Sequence, residues 1–159
     1  MALLADMAET YVAPARVMRR LLAAQPAERI LLGLLMGAIL VAFVVRLPGQ
    51  VAQYQPTQAA PVEGFVAATM VGALIFAPLF MYSLAFLSHL IAKSLGGRGS
   101  FYGARLALFW ALFALQPVLI LTTFATSYLP LTPVISLIAA AVFFIVWGIN
   151  LVTAERYSA

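Results

Sequence analysis

The chain has 159 residues, of which 65% are hydrophobic and 9% are charged, and its formal net charge is +4. Soluble domains carry about 25% charged residues, so this composition cannot supply a charged surface and predicts an integral membrane protein. The absence of cysteine excludes disulfides, thiolate nucleophiles, iron–sulfur clusters and cysteine-based zinc sites. The basic excess follows the predicted loops, which indicates membrane topology and not a nucleic-acid surface.

The first 25 residues are predicted to form a cytoplasmic amphipathic segment. One helical face is apolar, and the opposite face carries Asp6, Glu9, Arg16, Arg19 and Arg20. Pro14 predicts two short helices or one kinked helix, the second beginning at Pro14. We expect an interfacial helix whose arginines contact anionic head groups. The alternatives are packing on the protein's own cytoplasmic surface and a coiled-coil seam, which Pro14 disfavours.

The same segment shows no secretory signal peptide. Two acidic residues precede any arginine, and no continuous apolar core leads to a small-residue cleavage site. We therefore expect the chain to keep its N-terminus. The remaining residues, 26–159, are predicted to form one transmembrane domain.

The first predicted span covers residues 30–46 and is held between Arg29 and Arg46. Its uncharged stretch is short against the ~20 residues of a usual span, but both arginines can extend outward to water. Pro48-Gly49 is predicted to end the helix. Gly33 and Gly37 form a GxxxG pair, which indicates helix packing inside the bundle or a homodimer seam.

The second predicted span covers residues 65–89 and follows a loop rich in Pro, Gln and Ala. The apolar run continues to Leu95, which exceeds a ~30 Å hydrocarbon core, so the helix must tilt, kink or project from the membrane. Pro78 is the predicted kink. His89 and Lys93 mark the predicted emergence into water.

The third predicted span covers residues 104–126 and has a weak point at Gln116-Pro117. The fourth covers residues 133–154, with Thr132 as its predicted cap and Pro133 as its first residue. Eight of the nine basic residues then lie on one side, and only Arg46 lies on the other. The positive-inside rule therefore predicts four spans with both termini cytoplasmic.

The loop "GGRGS" at residues 96–100 lies between the second and third spans. It lacks the Lys-Ser/Thr pair and the preceding strand of a phosphate-binding P-loop, and its glycines do not follow the dinucleotide-binding spacing. A cytoplasmic hairpin explains the sequence better. Gly96-Gly97 can end one helix, Ser100 can cap the next, and Arg98 and Arg105 keep the loop cytoplasmic.

The stretch "AKSLGGRGSFYGARLALFWALFALQP" resembles the central signature of bacterial members of the Yip1 family. Tyr11, Pro14 and Arg16 are similar to the N-terminal segment of small proteobacterial members. The resemblance implies a multi-pass membrane protein without known enzymatic activity, in a family whose eukaryotic members act in vesicle trafficking. The chain departs from it in having four predicted spans where the family usually shows five, and in lacking the long cytosolic N-terminal region. Contact with small GTPases is therefore not carried over.

Few residues suit catalysis or ion transport. His89 and Lys93 share one helix face, but a lone histidine without a nearby carboxylate predicts neither a metal site nor a catalytic triad. All five carboxylates lie outside the predicted hydrocarbon region, and Gln116 and Asn150 are the polar groups within the spans. Gln116 is expected to bond a carbonyl freed by Pro78 or Pro117, or to pair across helices. The tryptophans are interpreted as interfacial and packing groups.

The sequence thus predicts a non-enzymatic protein of a bacterial inner membrane, without a cofactor, that binds membrane partners or organises lipid. Possible partners are anionic lipids, other membrane proteins or a second copy, and no nucleic acid is expected. The predicted contact residues are Arg16, Arg19, Arg20, Lys93, Arg98 and Arg105. One alternative is a small transporter or channel with its site near Pro78, Gln116 and Pro117. Another is an accessory subunit of a larger membrane complex.

Overall fold

The computed structural model describes residues 3–55, 61–128 and 132–157, and all regular structure in these ranges is helical. One π-helical segment, Gly72–Phe76, joins α4 to α5. The α-helices in chain order are α1 Leu3–Thr10, α2 Pro14–Ala24, α3 Glu28–Gln53, α4 Val62–Val71, α5 Ala77–Ser94, α6 Phe101–Ala114, α7 Gln116–Tyr128 and α8 Thr132–Arg156.

Three helical stretches in the described ranges are long and apolar enough to cross a membrane. They are Glu28–Gln53, Val62–Ser94 and Pro133–Arg156. The pair α6 and α7 is apolar enough only when both are taken together, with a 43° bend between them, and would make a fourth span. The all-helical fold expected from the sequence is therefore confirmed, with three to four stretches apolar enough to cross a membrane.

Helix α6 forms the centre of the protein. Every side chain from Leu106 to Ala111 is fully buried, and α3, α5, α8 and the N-terminal helices all contact this helix. The reason is visible in its sequence, because "LALFWALFA" is apolar on all sides and so has no face suited to water. The other candidate spans pack one side against α6 and turn large apolar side chains outward.

The helix end predicted at Pro48-Gly49 in the first span is wrong. Helix α3 passes through Pro48 and Gly49 and ends at Gln53. A proline removes only its own backbone hydrogen bond, and the residues after Pro48 stay helical as far as Gln53, so the helix tolerates it near its end. The helical stretch of the second predicted span runs from Val62 to Ser94 and ends just before the hairpin glycines, as expected.

The distortion expected at Pro78 lies one turn earlier, in the π-helical segment. Pro78 is at the start of α5, and the backbone N–H of Ala77 bonds the carbonyl of Gly72, five residues back. A proline ring clashes with the carbonyl four residues before it. Widening the preceding turn to π geometry gives that carbonyl room, so the chain bulges at this point.

The predicted weak point of the third span is confirmed. Helix α6 ends at Ala114 and α7 begins at Gln116, immediately before Pro117. Gln116 donates from Nε2 to the carbonyl of Leu112 at 2.8 Å, so its amide bridges the break from within the same span. Helix α8 extends to Arg156, two residues beyond the prediction. The predicted cap by the Thr132 side chain lies outside the described residues.

The N-terminal segment forms two helices, and Pro14 is the first residue of α2 as predicted. The apolar face of α2 is buried in the core formed with α6 and α8, with Val17, Met18 and Leu21 at or near zero exposure. This is the alternative in which the segment packs on the protein itself. The N-terminal helices therefore share a core with the spans and do not form a separate unit.

Candidate functional site

The glycine hairpin begins with a Schellman cap on α5. Gly96 has a φ of +92°, its N–H bonds the carbonyl of Lys93 at 3.0 Å, and the N–H of Gly97 bonds the carbonyl of Ala92 at 2.9 Å. Ser100 then caps α6, because its Oγ accepts from the N–H of Gly103 at 3.1 Å. The predicted end of α5 at Gly96-Gly97 and the predicted Ser100 cap at the start of α6 are both confirmed.

The remaining glycines of the hairpin are required by close packing against the end of α8. A Cβ on Gly99 would lie 2.6 Å from the carbonyl oxygen of Ala154, and one on Gly97 would lie 2.7 Å from Glu155 Oε2. Two N–H groups of the hairpin bind α8 in turn. Arg98 N–H donates to the Glu155 carbonyl at 2.9 Å, and Gly99 N–H donates to Glu155 Oε2 at 3.0 Å. One N–H group thus binds the backbone and the other the side chain of Glu155, which closes the hairpin on α8.

His89 does have a carboxylate partner, which corrects the expectation that none is nearby. Its Nδ1 lies 2.6 Å from Glu155 Oε1, and both side chains are largely buried. One carboxylate therefore binds His89 on α5 and Gly99 in the hairpin, and it joins three parts of the chain. The sequence carried a usable signal, since His89 and Glu155 each lie near the cytoplasmic end of a predicted span.

Arg105 forms an ion pair with Glu28 of the same chain. Its guanidinium forms two hydrogen bonds to Glu28, at 3.0 and 2.5 Å, and lies over the ring of Phe101. Nearby, the Tyr102 hydroxyl donates to the carbonyl of Pro26 at 2.6 Å. Arg105, predicted to contact lipid or a partner, therefore joins α6 to the start of α3.

The other two predicted contact residues of the hairpin point outward. Lys93 and Arg98 are exposed. Within the ranges that the structure describes, neither side chain has a carboxylate within ion-pair distance. Their charges are available for head groups or a partner.

The arginines of α2 divide into paired and unpaired groups. Arg20 forms ion pairs with Asp6 and with Glu9, the latter at 2.8 Å, and Arg16 lies 3.5 Å from Glu9. The hydrogen bond from Arg20 lowers the pKa of Glu9, and the same bond raises the pKa of Arg20. Arg19 is exposed and has no such pair among the described residues. The pairs fix α1 against α2, and Arg19 is left facing outward.

Trp110 is a core residue and not an interfacial one. It is fully buried, and its Nε1 donates to Thr10 Oγ1 at 3.0 Å, while the Thr10 hydroxyl donates to the Asp6 carbonyl at 2.7 Å. Next to it, the Tyr11 hydroxyl donates to the carbonyl of Ala114 at 2.8 Å. The turn between α1 and α2 therefore reaches the middle of the third span, a contact that no local sequence pattern predicted.

The GxxxG pair behaves as two separate glycines. Gly37 faces the Phe113 ring, where a Cβ would be in ordinary contact at 3.5 Å. Gly33 has nothing within 4 Å of its Cβ position. The packing role predicted inside the bundle is thus observed at Gly37 alone.

A cavity of about 660 Å³ lies in the other half of the bundle, bounded by α3, the π-helical segment, the α6–α7 junction and α8. Gln116 lines it, whereas Pro78 and Pro117 do not. The Gln116 Oε1 is buried without a hydrogen-bond partner among the described residues. Two prolines predicted to lie at a site therefore shape the helices around the cavity without lining it.

Asn150 is the most deeply buried polar side chain of α8. It has zero exposure, and neither its Oδ1 nor its Nδ2 has a partner in the described part of the chain. Among the described residues, no group of three or more His, Asp or Glu side chains is placed to hold a metal ion.

No family model matches the chain, and no curated protein or solved structure matches it either. The geometry of the chain itself is therefore the basis for interpreting its function. The Yip1 resemblance rests on the residues of the hairpin, α6 and the N-terminal segment.

Proposed function

We propose that the chain is a non-enzymatic, four-span protein of the Yip1 type in a bacterial inner membrane, and that it acts by binding lipid or other membrane proteins. The bent pair α6–α7 is taken as one span, so the chain crosses four times and both termini are cytoplasmic. The residues resembling the Yip1 signature support the family, and the placement of basic residues supports the orientation.

The observation that carries this proposal is the contrast in burial between α6 and the helices around it. In the most apolar stretch of α8, 11% of the residues are buried inside the protein, and in Val62–Ser94 the share is 6%. Apolar surface of this extent is covered by lipid or by another membrane protein. The surface available for binding is thus the outside of α4, α5 and α8.

Head-group contact is proposed for the basic end of the bundle. Arg19, Lys93 and Arg98 are exposed there and unpaired among the described residues. Each exposed cation near an anionic surface contributes about 1 kcal/mol of attraction. The apolar face of α2 is buried, so this interfacial contact is made by the charged face of the N-terminal helices.

Native mass spectrometry of the protein extracted gently from its own membrane tests the proposal. A stoichiometric second protein, or lipid retained in defined number, supports binding within the membrane. A foreign subunit at fixed stoichiometry identifies the protein as an accessory subunit. Release of the bare monomer under conditions that preserve a known membrane complex contradicts the proposal.

The cavity supports a small transporter as the second candidate. It has a polar group, Gln116, in its wall and a bent helix beside it. A transporter predicts that Gln116→Leu abolishes solute flux into proteoliposomes. A binding protein predicts that the same variant changes only its thermal stability.

A further inference from the structure

The cavity has apolar walls over most of its surface. Side chains from each surrounding helix contribute, including Ile39, Phe43, Met81, Leu119 and Phe143. Its volume of about 660 Å³ lies within the roughly 300–1,000 Å³ of known ligand sites. An apolar body suits these walls, because a hydrated solute would lose its water without gaining polar partners.

Two threonine hydroxyl groups of the walls are bonded to carbonyls of their own helices. Thr69 donates to the carbonyl of Phe65 at 2.8 Å, and Thr122 donates to the carbonyl of Leu119 at 3.0 Å. Because their hydroxyl groups are bonded to the backbone, Thr69 and Thr122 expose mainly their methyl groups to the cavity. The wall is more apolar than its composition suggests.

One end of the cavity carries a positive charge. Arg46 and Gln50 line it from adjacent turns of the same face of α3. Arg46 is exposed, and no carboxylate among the described residues lies within ion-pair distance of it. A guanidinium binds a phosphate through two parallel hydrogen bonds. This end therefore fits an anionic phosphate group.

The cavity is continuous with the outer surface of the bundle. Phe144, Ser136 and Ala140 line it from α8 and are themselves exposed. These residues lie on a helix that is apolar enough to cross the membrane. An alkyl chain can therefore enter from the bilayer beside α8 without crossing water.

We propose that this cavity takes one acyl chain of an anionic phospholipid, whose phosphate binds the Arg46 guanidinium. The proposal rests on the proposed function, because it requires the bundle to lie in a bilayer. It makes Arg46, the single basic residue predicted on its side of the membrane, the residue that selects the lipid. The neighbouring Gln50 amide is placed to donate a hydrogen bond to the same head group.

Gln116 provides a test that separates an acyl chain from a polar solute. Its Nε2 is bound to Leu112, and its Oε1 lacks a partner among the described residues. An acyl chain cannot satisfy that oxygen, so replacing the amide by an apolar group of similar size removes a cost. Gln116→Leu should therefore preserve or strengthen lipid retention, whereas a polar solute would bind more weakly.

The experiment uses the full-length purified protein in mixed micelles of detergent with phosphatidylglycerol or with phosphatidylcholine, and counts retained lipid by native mass spectrometry. The expected result is preferential retention of one phosphatidylglycerol. Arg46→Gln should reduce that retention about tenfold, the loss expected for one charge-assisted hydrogen-bond pair. Arg29→Gln, the same change at the other end of α3, is its control.

A second pair of variants tests the chain-binding part of the cavity. Ala140→Phe fills the cavity, whereas Ala141→Phe places the same ring on the neighbouring exposed position, which does not line it. The first should exclude lipid, and the second should retain it. Thermal unfolding of all variants checks that each one is folded.

Two outcomes overturn the inference and leave the proposed function intact. One is equal retention in Arg46→Gln, Ala140→Phe and their controls, which places the lipid elsewhere. The other is a second protein held at fixed stoichiometry with no lipid retained. A bare monomer without either lipid or partner overturns both proposals.

Discussion

The two ends of the bundle are built in opposite ways. At the glycine hairpin, the chain is closed by hydrogen bonds and ion pairs: Glu155 binds His89 and Gly99, and Glu28 binds Arg105. At the other end, α7 diverges from α6 by 43° and a cavity opens among the helices. Polar side chains thus fasten one end, whereas the other has space and an unpaired Arg46.

This comparison distinguishes the hairpin end, which hydrogen bonds and ion pairs hold closed, from the cavity end, which has space for a ligand. The hairpin glycines and Arg105 hold the closed end together, whereas Lys93 and Arg98 face outward. At the open end, the cavity lies beside the π-helical segment before Pro78 and the bend before Pro117. A protein anchored at one end can accommodate a ligand at the other without losing its fold.

The largest expected effect comes from emptying the shared core. Phe109 is fully buried on α6 and contacts the Tyr82 ring edge-on, with 4.9 Å between centroids. Phe109→Ala should lower the free energy of unfolding by about 3–5 kcal/mol. Phe80→Ala removes an identical ring from an exposed position on α5 and should change the free energy of unfolding little. Thermal unfolding in one detergent compares the two, and equal losses would contradict the central role of α6.

The next effect tests the closed end. In Gly99→Ala the new methyl group meets the backbone of Ala154, which cannot move aside alone, so the hairpin must shift at a cost of about 1–3 kcal/mol. Gly49→Ala in α3 meets nothing within 4 Å and should stabilise by about 0.5–1 kcal/mol, because alanine favours a helix. The midpoints of thermal unfolding should therefore move in opposite directions. A neutral Gly99→Ala would mean that the hairpin is loose.

A smaller effect is expected from removing one charge at the same end. Glu155→Gln keeps the shape of the side chain but replaces a carboxylate that accepts from both His89 and Gly99. The loss should be about 1–2 kcal/mol, the difference between charged and neutral hydrogen bonds. Glu63→Gln, at an exposed position of α4, is the control and should be neutral. Amide exchange at Gly99 should accelerate only in Glu155→Gln.

The smallest expected effect is the pH dependence of stability that the Arg20–Glu9 ion pair contributes. Because Arg20 holds the pKa of Glu9 below its ordinary value of 4.5, the ionised form is favoured by folding. The stabilisation is therefore present above pH 4.5 and is lost as the pH falls through the lower value of the folded protein. The unfolding midpoints of the wild type and Glu9→Gln should differ at pH 7, and the difference should shrink as the pH falls below 4.5. A constant difference across this range would exclude the ion pair as its source.

A comparison of the predicted and observed helix boundaries shows which of them local sequence patterns determine. The helix end at Gly96, the cap at Ser100, the start of α2 at Pro14 and the break before Pro117 were all predicted, because each depends on backbone chemistry within one turn. The stop predicted at Pro48-Gly49 was wrong, because a single proline removes only its own backbone hydrogen bond and the helix continues to Gln53.

The candidate site was less accessible to sequence reasoning. The sequence drew attention to Gln116 and the basic residues, but it did not identify Glu155 as the partner of His89 or Thr10 as the acceptor for Trp110. These pairs are 66 and 100 residues apart. Their geometry depends on which helices become neighbours, and local periodicity does not encode that choice.

The sequence by itself determined the class of protein, the helical segments and their most important breaks, since hydropathy and backbone chemistry act locally. Only the tertiary structure decided that α6 is the buried centre, that the apolar face of α2 lies on the protein, and that a cavity forms beside Arg46. Several helices of similar hydropathy compete for the central position. Helix α6 occupies it because α3, α5, α8 and the N-terminal helices all contact it and enclose even Phe109 and Trp110.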